Sequence, residues 1–237
     1  MRHLTPAPPT AVDAVDGLAY SLWLPRGEPE GGVVVVHGAD SQKESHHDFA
    51  RLCRDSGLAA VCFDLRGHGA SPGPLDARVL ADVASIAGVL PPGLPLALRG
   101  SSLGGYLAIA AAELAGAAAV VAICPASGDM LARGLRSGRF GFEADVPALE
   151  ALLSEHDLRD AVARSAIPLM LLHAEGDERV PVAGSIELDR LSAARRKKLI
   201  VVPGGHHRSV QHDAELQAEA VRFIRKAFRG QTPSFSS

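Results

Sequence analysis

Short runs of consecutive apolar residues recur along the chain, separated by longer stretches with helical spacing. Residues 33–36, 59–64, 94–99, 118–124, 169–173 and 199–202 read as strands. Their apolar residues are consecutive, not alternating, so both faces of each strand are expected to be buried, and that requires a mainly parallel sheet with helices on either side. Helices are expected near 46–56, 77–90, 103–115, 182–191 and 213–228. At the N-terminal end, residues 11–16 and 18–24 flank Asp16-Gly17, a favoured two-residue hairpin turn, so the chain is expected to open with two antiparallel strands.

The alternation stops between Pro125 and Ile167. A gap of about forty residues exceeds an ordinary connection, and it is expected to form a small helical cap over about 126–166, with an amphipathic helix at 146–153. Residues from about 230 onward read as a flexible tail. With 237 residues and 47% hydrophobic content, the chain is long enough for one sizeable core, so residues 1–237 read as one α/β domain with about eight strands.

Charge and cysteines narrow the partners. The formal net charge is -3 and neither sign forms a long block, which argues against nucleic acid; the densest basic run, Arg195-Arg196-Lys197-Lys198, reads as a solvated helix end leading into a strand. Cys53, Cys62 and Cys124 form no C-x-x-C pair, and the N-terminus lacks an apolar signal core, so a reducing, cytoplasmic setting is expected. Residues 106–124 approach membrane-spanning length but are mostly alanine and are broken by Gly116; they read as a buried helix and strand, with no membrane partner. Oligomeric state is not legible.

The candidate chemistry centres on Gly100-Ser101-Ser102-Leu103-Gly104. A G-x-S-x-G sequence between a strand and a helix holds its central serine on a turn so tight that only side-chain-free neighbours fit. Ser101 is flanked at the equivalent positions by Arg99 and Leu103, so Ser102 is the candidate nucleophile. Other histidines are less promising. His37 follows four valines and reads as a structural turn residue, and His46-His47-Asp48 lacks zinc-like spacing, so no metal is expected.

Four motifs together resemble the α/β-hydrolase family, over most of the chain from about Ala19 to Phe228: the strand and turn Val33-Val34-Val35-Val36-His37-Gly38-Ala39, the loop Asp64-Leu65-Arg66-Gly67-His68-Gly69-Ala70-Ser71, the serine turn, and the pair of loops around Asp177 and around Pro203-Gly204-Gly205-His206-His207. The resemblance implies a doubly covered α/β-hydrolase sheet and a Ser102-His207-Asp177 triad, with backbone N–H groups of Ala39 and Leu103 as the oxyanion hole. Asp129 stays open as an alternative acid and His206 as an alternative base; counting four residues from Pro203 favours His207. No catalytic role is implied for Asp64, Arg66 or His68; Arg133, Arg136 and Arg139 could place positive charge over the site from the cap, but exposed cap arginines are usually soluble surface. The activity implied is that of a cofactor-free serine carboxylesterase acting on short- to medium-chain esters. Thioester, lactone or acyl-peptide hydrolysis uses the same machinery, and a non-catalytic binding scaffold is the rival from another class.

Overall fold

Asp16 and Gly17 both take positive φ, 52° and 79°, which lets the hairpin turn close β1 (Ala11–Val15) onto β2 (Leu18–Trp23). The computed structural model describes residues 7–230, so nearly all of the expected tail lies outside the described residues. Six further strands follow: β3 (Gly32–Val36), β4 (Ala59–Phe63), β5 (Leu96–Ser101), β6 (Ala119–Ile123), β7 (Leu169–Ala174) and β8 (Lys197–Val202). The sheet order is β1-β2-β4-β3-β5-β6-β7-β8, antiparallel at the first two pairings and parallel from β4 onward. This is the α/β-hydrolase fold that the motifs imply.

Burial on both faces follows the consecutive apolar runs. Val34, Val36, Val61, Phe63, Leu98, Val120 and Leu171 face a core shared with α2 (Val79–Ala87), α3 (Leu103–Ala110) and α7 (Val182–Leu191). Their neighbours Val33, Val35, Ala60, Cys62, Ala97, Val121 and Leu172 face α1 (His47–Asp55) and α8 (Ala214–Arg229) through Phe49, Cys53, Val221 and Ile224. Each fully buried aliphatic side chain contributes roughly 1.5–3 kcal/mol, so the two layers fix the strand register firmly. The three cysteines are free and buried.

Two boundaries differ from expectation for physical reasons. Strand β5 begins after Pro95, which has no N–H to give a ladder, and runs on to Ser101, so that Ser102 is the first residue past the strand. Strand β8 begins at Lys197; as the last strand in the order it has one free edge, where lysines can sit, so the basic run opens a strand and does not end a helix.

Three helices occupy the gap between β6 and β7: α4 (Gly128–Arg136), α5 (Val146–Glu155), where the amphipathic stretch is expected, and α6 (Leu158–Arg164). Ser127, Asp145 and Asp157 cap them through Met130, Ala148 and Arg159 backbone N–H groups. Helices α4 and α5 pack on each other, whereas α6 packs against α3 and α7 and buries Leu158 and Val162 in the main core. The hydroxyl of Tyr106 on α3 donates to His156 O at the end of α5 (2.8 Å).

Strand β3 lies between β4 and β5, so the chain crosses the sheet in one direction from β3 to β4 and in the other from β5 onward. At such a switch point the loops after neighbouring strands diverge and leave a crevice at the carboxyl ends. The loops after β3 and β5 meet there.

Candidate active site

The turn after β5 is tight enough to exclude side chains. A Cβ at Gly100 would lie 1.9 Å from Gly104 O, and one at Gly104 would lie 2.2 Å from Val36 O. Between them Ser102 sits at φ 55°, ψ -115°, a conformation that costs a non-glycine residue roughly 1–3 kcal/mol and persists only where its surroundings enforce it. Here Ser102 N donates to Ile123 O (2.9 Å), and Ser102 O accepts from Tyr106 N (3.0 Å) and Ala126 N (3.2 Å). Ser101 completes the strand and is buried.

His207 and Asp177 come from the loops after β8 and β7. His207 Nδ1 lies 2.7 Å from Asp177 Oδ2, and the Asp177 side chain is fully buried. A proton on Nδ1 leaves Nε2 as an acceptor, the tautomer that general-base chemistry requires. Asp177 Oδ1 accepts from Arg179 N and Val180 N, both at 2.8 Å. Burial pushes this carboxyl up, but the Val180 N–H, His207 and the Arg179 N–H together outweigh it and hold the group below the usual carboxylate range. His207 and Ser102 line one cavity of about 390 Å³, with Gly38, Ala39, Ala126, Met130, Leu131, Phe140 and Val180 among its other walls. No hydrogen bond joins Ser102 Oγ to His207 among the described residues; such contacts are commonly loose without substrate.

The loop carrying Ala39 is pinned from beneath. His37 Nδ1 lies 2.7 Å from Gly38 O and Nε2 accepts from Leu65 N (3.0 Å), which fixes a neutral ring; burial lowers its pKa to about 4. Asp64 accepts from Lys43 N, Lys43 Nζ (both 2.7 Å) and Ala70 N (2.9 Å), joining the loop after β3 to the loop after β4. Its carboxyl is raised by burial and lowered more strongly by these donors, for a net fall. Arg66 grips Asp82 through two nitrogens, at 2.8 and 2.9 Å. The ring of His68 lies between His37 (4.9 Å) and Phe142 (4.2 Å), and Asp40 Oδ1 accepts from Gly141 N (2.7 Å), so the segment after α4 docks on the same loop.

A second buried network supports the histidine loop. Arg99, on β5 and 1% exposed, donates from Nη2 to Gln211 O at 2.8 Å, four residues beyond His207. Its Nη1 lies 3.0 Å from His46 Nδ1, and its guanidinium stacks over Phe49 at 4.3 Å. Burial and then the Arg99 charge lower the His46 pKa, so His46 is a neutral acceptor. Asp48 pairs instead with His212 (2.9 Å) and Gln217 (2.7 Å).

The remaining candidates lie apart. Asp129 is exposed on α4 and lines a neighbouring hollow with Arg133, Asp157 and Arg159. His206 is exposed, its Nδ1 accepting from Arg208 N (3.3 Å). Arg136 pairs with Glu150 at 2.5 Å, whereas Arg139 lines the Ser102 cavity together with Arg179 and Arg208, the less common of the two placements considered for the cap arginines. Among the described residues, donor atoms of Cys124, His173 and Asp177 lie within 4.8 Å of one another. They are engaged otherwise: His173 with Ser185 Oγ (2.7 Å) and Val180 O (2.9 Å), Asp177 with His207. Arg99, Lys43 and Gln211 were not singled out from the sequence. The available signal was one arginine inside a strand otherwise buried on both faces, which must have internal partners.

Residues 27–137 match the family model described as serine aminopeptidase, S33, and residues 95–231 match that of the prolyl oligopeptidase family. The chain is 26% identical over 239 residues to a monoacylglycerol lipase of Mycolicibacterium smegmatis, a match covering 80% of this chain and 85% of that protein. Among solved structures, a monoacylglycerol lipase from Paleococcus ferrophilus aligns with a TM-score of 0.69 at 23% identity, covering 91% of this chain and 99% of that one. Est1E from Butyrivibrio proteoclasticus, solved with ferulic acid bound, aligns with a TM-score of 0.69 at 20% identity, covering 93% and 98%. Likeness at these identities is a likeness of fold. The prolyl oligopeptidase family model spans more than half of the chain, and the chain belongs with that family to the α/β-hydrolase superfamily of serine hydrolases.

Proposed function

We propose that the protein is a serine carboxylic ester hydrolase in which Ser102 is the nucleophile, His207 the general base and Asp177 the residue that orients it. The observation that carries this reading is the 2.7 Å contact between His207 and the buried Asp177, beside a cavity into which a strained serine turn also opens. Relatives named as monoacylglycerol lipases support an ester as the substrate class.

The chemistry follows from the positions. His207 Nε2 takes the Ser102 proton as Oγ attacks the ester carbonyl, and the imidazolium, stabilised by Asp177, returns that proton to the departing alcohol. The charge on the carbonyl oxygen falls to the N–H groups of Leu103, the first residue of α3, and Ala39; the helix N-terminus adds to the attraction. Water activated by His207 then cleaves the acyl-enzyme. A cavity of about 390 Å³ suits acyl groups of roughly two to eight carbons, with α4 and the segment after it, through Met130, Leu131, Arg139 and Phe140, at the site and setting acyl selectivity.

Labelling with a fluorophosphonate and locating the adduct by peptide mass spectrometry tests the reading, alongside a panel of esters and thioesters of increasing acyl length. Modification of Ser102, lost in Ser102→Ala, is the expected outcome. An adduct on Ser101, or none in folded protein, overturns it.

A further inference from the structure

Three loops bring an arginine each to the Ser102 cavity: Arg139 from the segment after α4, Arg179 from the loop carrying Asp177, and Arg208 from the residue after His207. All three are exposed, and among the described residues neither Arg139 nor Arg208 has a carboxylate within salt-bridge distance. Arg179 Nε stands 3.6 Å from Glu178 Oε1, a loose contact, while Glu178 Oε2 accepts from His207 N (3.1 Å). Asp40 is the one carboxylate among the cavity's lining residues, and its Oδ1 is taken by Gly141 N. Asp177 is buried and held by His207. In formal charge Asp40, Asp177 and Glu178 balance the three arginines, but among the described residues none of these carboxylates pairs with Arg139 or Arg208, so the guanidinium donors of those two are open to an anionic ligand.

The geometry points to an ester that carries a further anionic group, a carboxylate or a phosphate, held by Arg139, Arg179 and Arg208 while its ester carbonyl lies at Ser102. This rests on the ester hydrolase reading and specifies its substrate class. The apolar wall of Ala126, Met130, Leu131, Phe140 and Val180 takes the hydrocarbon part, and the guanidinium groups take the charged end, with which arginine makes paired, charge-assisted hydrogen bonds. The reaction is unchanged: the ester C–O bond breaks, and water supplies a hydroxyl to the acyl carbon and a proton to the alcohol oxygen.

Paired substrates test this. The p-nitrophenyl monoester of adipic acid and p-nitrophenyl hexanoate differ only by a terminal carboxylate in place of a methyl, and 1-butanoylglycerol 3-phosphate with 1-butanoylglycerol places the anion on the alcohol side. In one of these pairs kcat/KM for the anionic member is expected to exceed that of the neutral one by about tenfold or more, and the pair that responds tells which side of the ester carries the charge. The ratio should fall at least about tenfold in the triple variant Arg139→Gln, Arg179→Gln, Arg208→Gln and be partly restored by lysine at the same positions. In wild-type protein it should shrink as salt rises from about 20 mM to about 500 mM. Equal kcat/KM within both pairs, or a ratio unmoved in the triple variant, overturns the inference and leaves the ester hydrolase reading standing. Hydrolysis of neither member of either pair, by protein that a fluorophosphonate also fails to label, overturns that reading and the inference with it.

Discussion

The loops beneath the site and the helical segment above it are held by different physics. Below, Asp64-Lys43 and Arg99-His46 are buried polar networks, the first tying the loop after β3 to the loop after β4 and the second reaching the histidine loop through Gln211 O. Above, α4 and α5 rest on apolar contacts and on exposed pairs such as Arg136-Glu150, and the segment between them presents Arg139 to solvent. A buried pair has no substitute partner in water, so it holds one geometry or fails; an exposed pair is exchangeable with solvent at little cost. On the proposed reading, the geometry at Ser102 and His207 would rest on the lower layer, with the upper one the more adaptable.

The largest expected effect lies in the lower layer. Ser102→Ala and His207→Ala should each reduce kcat by about 10⁴-fold or more, and Asp177→Asn by a similar factor because an amide reverses the tautomer preference of His207; His206→Ala and Asp129→Asn should cost tenfold or less. Steady-state kinetics on a short ester read all five. Collapse in His206→Ala with His207→Ala nearly intact would exchange the two histidines.

Next comes Asp64→Ala, which strands the backbone N–H groups of Lys43 and Ala70 and leaves the buried Lys43 ammonium only the half-exposed Glu44 (2.9 Å), and which should lower stability by about 3–5 kcal/mol in urea unfolding at neutral pH. The sign with pH is fixed by direction. The folded carboxyls of Asp64 and Asp177 lie below their ordinary range, so their stabilisation is complete above the unfolded-state value and is lost as pH falls through the folded one. Acidification should accordingly destabilise wild type more than Asp64→Ala. A parallel pH dependence in both would remove Asp64 from the account.

The two layers were unequally legible in the sequence. Strand runs such as Val33–Val36, the Asp16-Gly17 turn and the Gly100 and Gly104 bracket each report a local demand, for burial on both faces, positive φ or close backbone approach, that few residue types meet. The network of Arg99 was hidden because its partners, His46 and Gln211, lie 53 and 112 residues away in the chain, and no local pattern encodes such pairing. The segment between Pro125 and Ile167 was visible as an interruption but not as three helices. Its α6 splits from the rest because Leu158 and Val162 complete the layer over α3, a choice made by tertiary packing that spacing alone does not reveal.

Arg99→Met sharpens the distinction between holding the fold and holding the histidine loop. Methionine fills much of the buried volume without a charge, so the loss falls mainly on the bond to Gln211 O: about 1.5–3 kcal/mol of stability and about a tenfold drop in kcat with little change in KM. A KM effect with kcat unchanged would show that Arg99 acts on the cavity wall and not on the placement of His207.

The smallest effect should come from the upper layer, with Arg136→Ala. Arg136 on α4 faces Glu150 on α5; both side chains are partly exposed, and Glu150 Oε1 lies against the guanidinium, where water can take its place once Arg136 is removed. Water replaces the lost partner of each charge, and side-chain freedom returned to Glu150 offsets part of the lost attraction, so the change should stay within about 0.2–1 kcal/mol and shrink further as salt is raised. Urea unfolding at low and high ionic strength checks both parts. A loss above about 2 kcal/mol that salt does not diminish would mean that the α4-α5 contact is electrostatically closed like the network around Asp64, and the contrast between the two layers would fail.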